Sequence, residues 1–166
     1  YLFSNWSLRL SKVNLYLEIH WYYFMLKKIF LASDHGGYKL KELVKVFLIK
    51  NNYTTDDLGC FSLDAVDYPD YAKILSDKLK TYSNSQGILF CGTGIGISMA
   101  ANRFTHIRAA LCTSIEMASK SRKHNNANVL ALGGRVLEDN LAFDIVNEFL
   151  NTDFEAGRHS IRVDKI

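Results

Sequence analysis

From Lys27 onward, short apolar runs alternate with stretches of helical period, and this alternation restricts the folds open to the chain more than any other feature. "KKIFLAS" (27–33) is a strand-type run that ends in "DHGG". Leu40, Leu43, Val44, Phe47 and Leu48 then recur at i, i+3, i+4, i+7 and i+8, which is one face of a helix. "YTTDDLG" (53–59) reads as a weaker strand, and "PDYAKILSDKLKTY" (69–82) as a helix with Pro69 at its start, where a missing N–H costs nothing. "GILFC" (87–91), "IRAALC" (107–112) and "NVLALGG" (128–134) predict three more strands. "GISMAANR" (96–103), "SIEMASKSRKH" (114–124, Ser114 as N-cap) and "EDNLAFDIVNEFL" (138–150) predict the helices between and after them.

Strands separated by helices imply βαβ units, a parallel sheet and right-handed crossovers that cover both faces. The predicted architecture is α/β: a doubly wound, Rossmann-like, five-stranded parallel sheet sandwiched by helices. Ligands of such sheets bind beyond the carboxyl ends of the strands. That rule selects Ser33 to Gly37, Cys91 to Gly94, Cys112-Thr113 and Gly133 to Arg135 as the informative positions.

Composition narrows the function classes. At 166 residues the chain is one domain's length. A net charge of +3, without a Lys/Arg run, argues against nucleic acid as a partner and leaves room for a small anionic ligand. Three cysteines without a CxxC pair argue against a disulfide framework and a zinc site, and point to a reducing compartment, the cytoplasm. No HExxH, EF-hand or carboxylate cluster suggests a metal, so no metal is expected. The first 26 residues, "YLFSNWSLRLSKVNLYLEIHWYYFML", are aromatic-rich, lack a secretory cleavage site and are too interrupted to span a bilayer, so no membrane partner is expected. They are read as an N-terminal extension outside the fold, with Met25 as a plausible start and a targeting segment as the alternative that Arg9 and Lys12 before an apolar run keep open, and 27–166 as the single domain.

The segment "GILFCGTGIGISMAANR" (87–103) carries the chemistry. It is neither a Walker A loop nor a GxGxxG fingerprint, because the spacing fails both. A glycine-rich strand-to-helix turn still aims several backbone N–H groups at one point and adds a helix N-terminus. Such a nest binds an anion, either a phosphate or an oxyanion that develops during reaction. Cys91 sits at its edge, where convergent N–H dipoles favour a thiolate able to act as nucleophile or general base. The plainer alternative, a small buried hydrophobe ending a strand, stays open for Cys91 and is the stronger reading for Cys60 and Cys112. Asp34 and His35 project at the same sheet edge and suit hydroxyls or phosphate. His124 closes a helix, where the dipole alone favours it; His20 and His106 read as structural. Arg158 and Arg162, four apart, share a face of a helical turn and, with Arg135, form a candidate phosphate clamp.

"ASDHGGYKLKE", "DYPDYA", "GILFCGTGIGISMAANR", "IRAALC", "RKHNNANVLALGGR" and "EAGRHSIRV" together resemble, in this order, the RpiB/LacAB family of sugar-phosphate isomerases, over roughly residues 27–163. The resemblance implies an aldose–ketose isomerase of the pentose phosphate pathway that interconverts ribose 5-phosphate and ribulose 5-phosphate through an enediolate, without metal or organic cofactor. It implies Cys91 as the base moving a proton between C2 and C1, and the backbone of Gly92, Gly94, Ile95 and Gly96 as the anion hole. Thr93 would assist in the same loop. His124 would open the furanose ring and Asn125 contact the sugar. Asp34 and His35 would bind hydroxyls and phosphate, and Arg135, Arg158 and Arg162 the phosphate. Members are homodimers, often paired into tetramers, with shared active sites, so the His124–Arg135 stretch would cross into the neighbour's site. Some members use a Glu shortly downstream as base, but "GISMAAN" here holds no carboxylate. The alternatives are an isomerase of allose or galactose 6-phosphate and a non-catalytic sugar-phosphate sensor.

Overall fold

The computed structural model describes residues 28–166, so the extension at 1–26 and His20 lie outside the described residues. Five strands, β1 (Ile29–Ser33), β2 (Thr55–Asp57), β3 (Gln86–Cys91), β4 (Ala109–Leu111) and β5 (Val129–Gly133), form one sheet in the order β2-β1-β3-β5-β4. Every neighbouring pair is parallel. The helices are α1 (Tyr38–Lys50), α2 (Tyr68–Thr81), α3 (Ile95–Ala101), α4 (Ile115–Asn125), α5 (Asp139–Asn151) and the short α6 (Ser160–Val163), which a 3₁₀ turn at Gly157–His159 precedes. The doubly wound α/β expectation holds.

Side-chain alternation along the central strands sorts the core into two layers. Ile29 and Leu31 of β1, Ile88 and Phe90 of β3, and Leu130 and Leu132 of β5 face one side, packed on Leu40, Val44 and Leu48 of α1, Ala118 of α4, and Ile145 and Phe149 of α5. Phe30 and Ala32, Leu89 and Cys91, and Val129 and Ala131 face the other, under Ala72, Leu75 and Leu79 of α2 and Ile97 and Ala101 of α3. Both faces of β1, β3 and β5 are therefore dry, which is why these strands read as unbroken apolar runs.

The edge strands are shorter than their sequence runs predict, three residues each, and only half-buried. At the end of β2, Asp57 accepts hydrogen bonds from Nζ of the fully buried Lys41 and from Nζ of Lys45, each at 2.7 Å. Burial would raise the Asp57 carboxyl, but the two lysines and the Gly59 N–H hold it below its ordinary value. This network ties β2 to α1 in place of the apolar contacts the strand lacks. Ser114 caps α4, its Oγ accepting the Met117 N–H at 3.2 Å. His106 is structural as expected, its Nε2 within 2.8 Å of the Ser76 carbonyl. Cys112 is buried, and burial pushes its thiol up to about 11.

Candidate active site

The chain leaves β1 for β2 on one side of the sheet and passes to β3 on the other, so the carboxyl ends of β1 and β3 open the cleft where ligands of such folds sit. Hydrogen bonds knit this edge together. Asp34 N–H donates to the Phe90 carbonyl at 3.1 Å, Gly134 N–H to the Cys91 carbonyl at 2.8 Å, and Arg135 N–H to the Gly92 carbonyl at 2.9 Å. Asp34 is buried, and its Oδ1 accepts the Gly37 N–H at 2.9 Å. His35 is held from a distant loop: the Val66 N–H donates to its Nδ1 at 3.2 Å, which leaves Nε2 for a ligand in the Nε2–H tautomer.

Cys91, the last residue of β3, is 4% exposed. Its Sγ accepts the Gly94 N–H at 3.1 Å, so the sulfur faces the glycine turn. Gly94 holds φ +79° at the start of α3, a left-handed conformation that turns its amide back on the thiol. Thr93 and Ile95 are exposed, and the Thr93 Oγ1 accepts the Ile95 N–H at 3.3 Å. Arg135 lies over Gly92, where a Cβ would stand 3.4 Å from its Cδ and 3.5 Å from its Nη1. The ring of Tyr68, at the start of α2, lies against Gly96, where a Cβ would meet it at 2.8 Å. Asp34, His35, Cys91 to Gly96 and Arg135 thus meet at one edge of the sheet.

The remaining candidates meet elsewhere. The chain enters α4 just beyond the carboxyl end of β4, and α4 ends at Asn125, four residues before Val129 opens β5. His124 and Asn125 therefore stand at the amino edge, whereas Cys91 is in register with Gly133 at the far end of β5. The length of β5 alone separates the edges by about 13 Å. Glu155 N–H donates to the Lys123 carbonyl at 3.1 Å and pins the C-terminal segment to the end of α4. The His124 and His159 rings stack at 4.3 Å, tilted by 6°, and Glu155 Oε2 lies 3.8 Å from the Nε2 of His124 and 3.9 Å from that of His159. Arg158 Nε donates to His159 Nε2 at 3.5 Å. Arg158 and Arg162, both exposed, occupy the 3₁₀ turn and α6 around this pair. Asn125 lines an adjoining cleft of about 330 Å³. Burial and the charges of His124, Arg158 and Arg162 hold the His159 imidazole below its ordinary value against the pull of Glu155. The resemblance treats His124 to Arg135 as one crossing stretch, but the structure divides it and leaves Arg135 on Gly92 of its own chain.

Sequence reasoning passed over Val66, Tyr68, Glu155 and His159. Tyr68 lies in "DYPDYA", and His159 stands between the two arginines of "GRHSIR", so both motifs held the signal. Among the described residues, His124, Glu155 and His159 form the one His/Cys/Asp/Glu group with ligand atoms mutually within 4.8 Å. Their parallel imidazole planes keep the nitrogen lone pairs from converging as a metal sphere requires.

A doubly wound sheet whose switch point sets a thiol against the amide of a glycine turn is an α/β fold of the class that binds small ligands beyond its strand ends. The chain belongs to the Ribose/Galactose Isomerase family, whose family model matches residues 29–166. It is 42% identical over 141 residues to ribose-5-phosphate isomerase B of Escherichia coli, a match covering 85% of this chain and 95% of that one. Among solved structures it is similar to ribose 5-phosphate isomerase from Thermotoga maritima, at 49% identity and TM-score 0.82, covering 84% of this chain and 96% of that one. It is also similar to ribose-5-phosphate isomerase B from Mycoplasma genitalium with bound ribulose-5-phosphate, at 45% identity and TM-score 0.82, covering 85% and 94%.

Proposed function

We propose that this chain interconverts ribose 5-phosphate and ribulose 5-phosphate, and that a single domain at 27–166 carries the activity. The observation that carries this reading is the Cys91 sulfur at the carboxyl end of β3, 3.1 Å from the Gly94 amide. Moving hydrogen between C2 and C1 of an aldose needs a base on one face of the sugar and a fixed dipole for the oxygen charge that appears. Cys91 as thiolate takes the C2 proton, and the electron pair of that bond forms C1=C2 while the carbonyl pair moves onto O1. The N–H groups of the Gly92–Gly96 turn face the resulting enediolate. The O2 proton passes to O1, the C2–O2 bond becomes the new carbonyl, and the thiol returns its proton to C1. One base serves both carbons because the intermediate is planar. Asp34 and His35 hold hydroxyls and phosphate, Thr93 supports the intermediate, and His124 with Asn125 opens the ring.

Ring opening and proton transfer act on one sugar, yet their groups stand at opposite edges of one chain. A symmetric pair of chains resolves this, with the His124 edge of each copy facing the Cys91 edge of the other. We infer a homodimer with shared sites, in which Arg158 and Arg162 reach the phosphate from the partner and Arg135 from the same chain as Cys91. Mixing two inactive variants, Cys91→Ala and His124→Asn, then restores activity. Random exchange gives mixed dimers with one intact site, about a quarter of wild-type turnover. No recovery after demonstrated subunit exchange would refute a shared site.

Among the described residues no helix is long and apolar enough to cross a membrane. The cytoplasmic reading rests on three free thiols, Cys60, Cys91 and Cys112.

The deciding assay follows ketose formation from ribose 5-phosphate by purified protein, with and without a chelator, beside allose and galactose 6-phosphates. Pentose turnover that survives the chelator is expected. Exclusive turnover of a hexose phosphate would move the chain to the alternative within its family, and no turnover of any would leave a binding protein. Arg158→Ala is expected to raise KM roughly 10–100-fold with kcat little changed, since a charge-assisted bond to phosphate exists in ground and transition states alike. An unchanged KM removes Arg158 from the clamp.

A further inference from the structure

A second polar pocket, of about 250 Å³, opens at the amino edge of the sheet, lined by Ser85, Gln86, Arg108, Arg122, Asn126 and Asn128 with Ser83 and Asn84 at its rim. Neither the isomerisation chemistry nor the phosphate clamp uses it. Three observations converge there. Gln86 is 4% exposed, and both polar atoms of its side-chain amide, Oε1 and Nε2, are buried without a hydrogen-bond partner among the described residues. A buried amide left unpaired costs about 1–3 kcal/mol, so a group meant to fill that role is expected beside it.

Two guanidiniums share the pocket, and among the described residues neither forms an ion pair. Arg108 Nε donates to the Asn126 carbonyl at 2.9 Å, and its two terminal nitrogens have no partner among the described residues. Arg122 is oriented by the Thr152 carbonyl at 3.1 Å, by Asn126 Oδ1 at 3.2 Å and by the Ala127 carbonyl, which leaves Nη2 free. Burial lowers both guanidiniums, and each lies in the other's neighbourhood, with Asp153 opposing this at Arg122 alone. Among the described residues no carboxylate lines the pocket. Two half-buried cations with no carboxylate in ion-pair contact among the described residues, beside an unpaired amide, form a cradle for a compact anion with several acceptor oxygens.

We propose that this amino-edge pocket is a second anion site, which binds a phosphate group through Arg108, Arg122 and Gln86. The oxygens of the anion accept from the arginine forks and from Gln86 Nε2, and its P–OH, when protonated, donates to Gln86 Oε1. The shared chemistry is the phosphate dianion, supplied either by inorganic phosphate or by a phosphomonoester. Arg122 and Asn126 flank His124 and Asn125, so the anion sits against the helix end that carries the ring-opening histidine.

The test is calorimetric titration of the full chain with inorganic phosphate, repeated with glycerol 3-phosphate. Wild type is expected to bind two phosphates per chain and the Arg158→Ala/Arg162→Ala variant one. Asn84→Glu places a charge at the exposed rim without touching the fold, and is expected to remove one phosphate from either background. Arg108→Gln is expected to do the same. Binding of both ligands assigns the site to phosphomonoesters in general, and binding of phosphate alone assigns it to the free anion. Two phosphates retained by Asn84→Glu and Arg108→Gln, or none bound by the clamp-deficient variant, would overturn the proposal. If the clamp variant keeps two and Asn84→Glu loses one, the amino-edge site stands and the clamp assignment fails instead.

Discussion

Replacing Cys91 by alanine lowers kcat by roughly 10²–10⁴-fold, the range for loss of a positioned general base, while KM stays near its wild-type value. The thiol is the only side chain of the turn placed to take a proton, since "GISMAAN" downstream holds no acid. The Gly94 amide, 3.1 Å from Sγ, puts the positive end of a peptide dipole on the sulfur, so its charged form has a partner in place before substrate arrives. Sugar and phosphate contacts come from other residues, so the ground state loses little. Cys91→Ser keeps the size and the hydrogen bond but is a far weaker base, and is expected to resemble alanine in kcat. Steady-state kinetics with ribose 5-phosphate decide the matter. Alanine turnover within about threefold of wild type would remove Cys91 from the proton transfer.

Gly37→Ala is expected to be the most disruptive single methyl in the site, costing about 3 kcal/mol or more and roughly 10 °C in melting temperature. A Cβ there would stand 2.4 Å from the Phe90 carbonyl carbon, 2.5 Å from its Cβ and 2.7 Å from the Cys91 nitrogen. Two of these atoms are backbone of the central strand, locked between β1 and β5, so they cannot yield without breaking the sheet. The same move would shift Cys91 and the Asp34–Gly37 hydrogen bond together. Gly92→Ala is the control, because its Cβ would meet only the flexible end of Arg135, at 3.4 Å. It should unfold within about 0.5 kcal/mol of wild type. Urea unfolding of both variants makes the comparison, and a wild-type midpoint for Gly37→Ala would show that the sheet edge is looser than described.

The layers and the carboxyl-edge cluster were legible in the sequence because both follow from local pattern. Apolar runs of strand length alternating with helical period dictate a parallel sheet, and the strand-end rule then gathers Asp34, His35, Cys91 and Arg135. The edge strands were overestimated because apolar content does not report pairing. Leu58 follows β2 without lengthening it, and Lys41 with Asp57 does the work of hydrophobic contact there. Position along the sheet was harder to read. That His124 ends at the opposite edge follows only once α4 is known to run the full height of the sheet between β4 and β5. The pairing of His124 with His159 depends on how the tail folds back through Glu155, a tertiary choice with no periodic mark in the chain.

The outermost strand β2 spans Thr55–Asp57 and carries Asp56 and Asp57 on its three positions. An open sheet ordinarily leaves a margin of unpaired backbone on which stray chains can template, growing fibrils from a folded protein. Here that margin is too brief, and too rich in carboxylates, to seed such growth. The same shortness and charge that leave β2 poorly packed thus disfavour strand addition along that edge of the sheet.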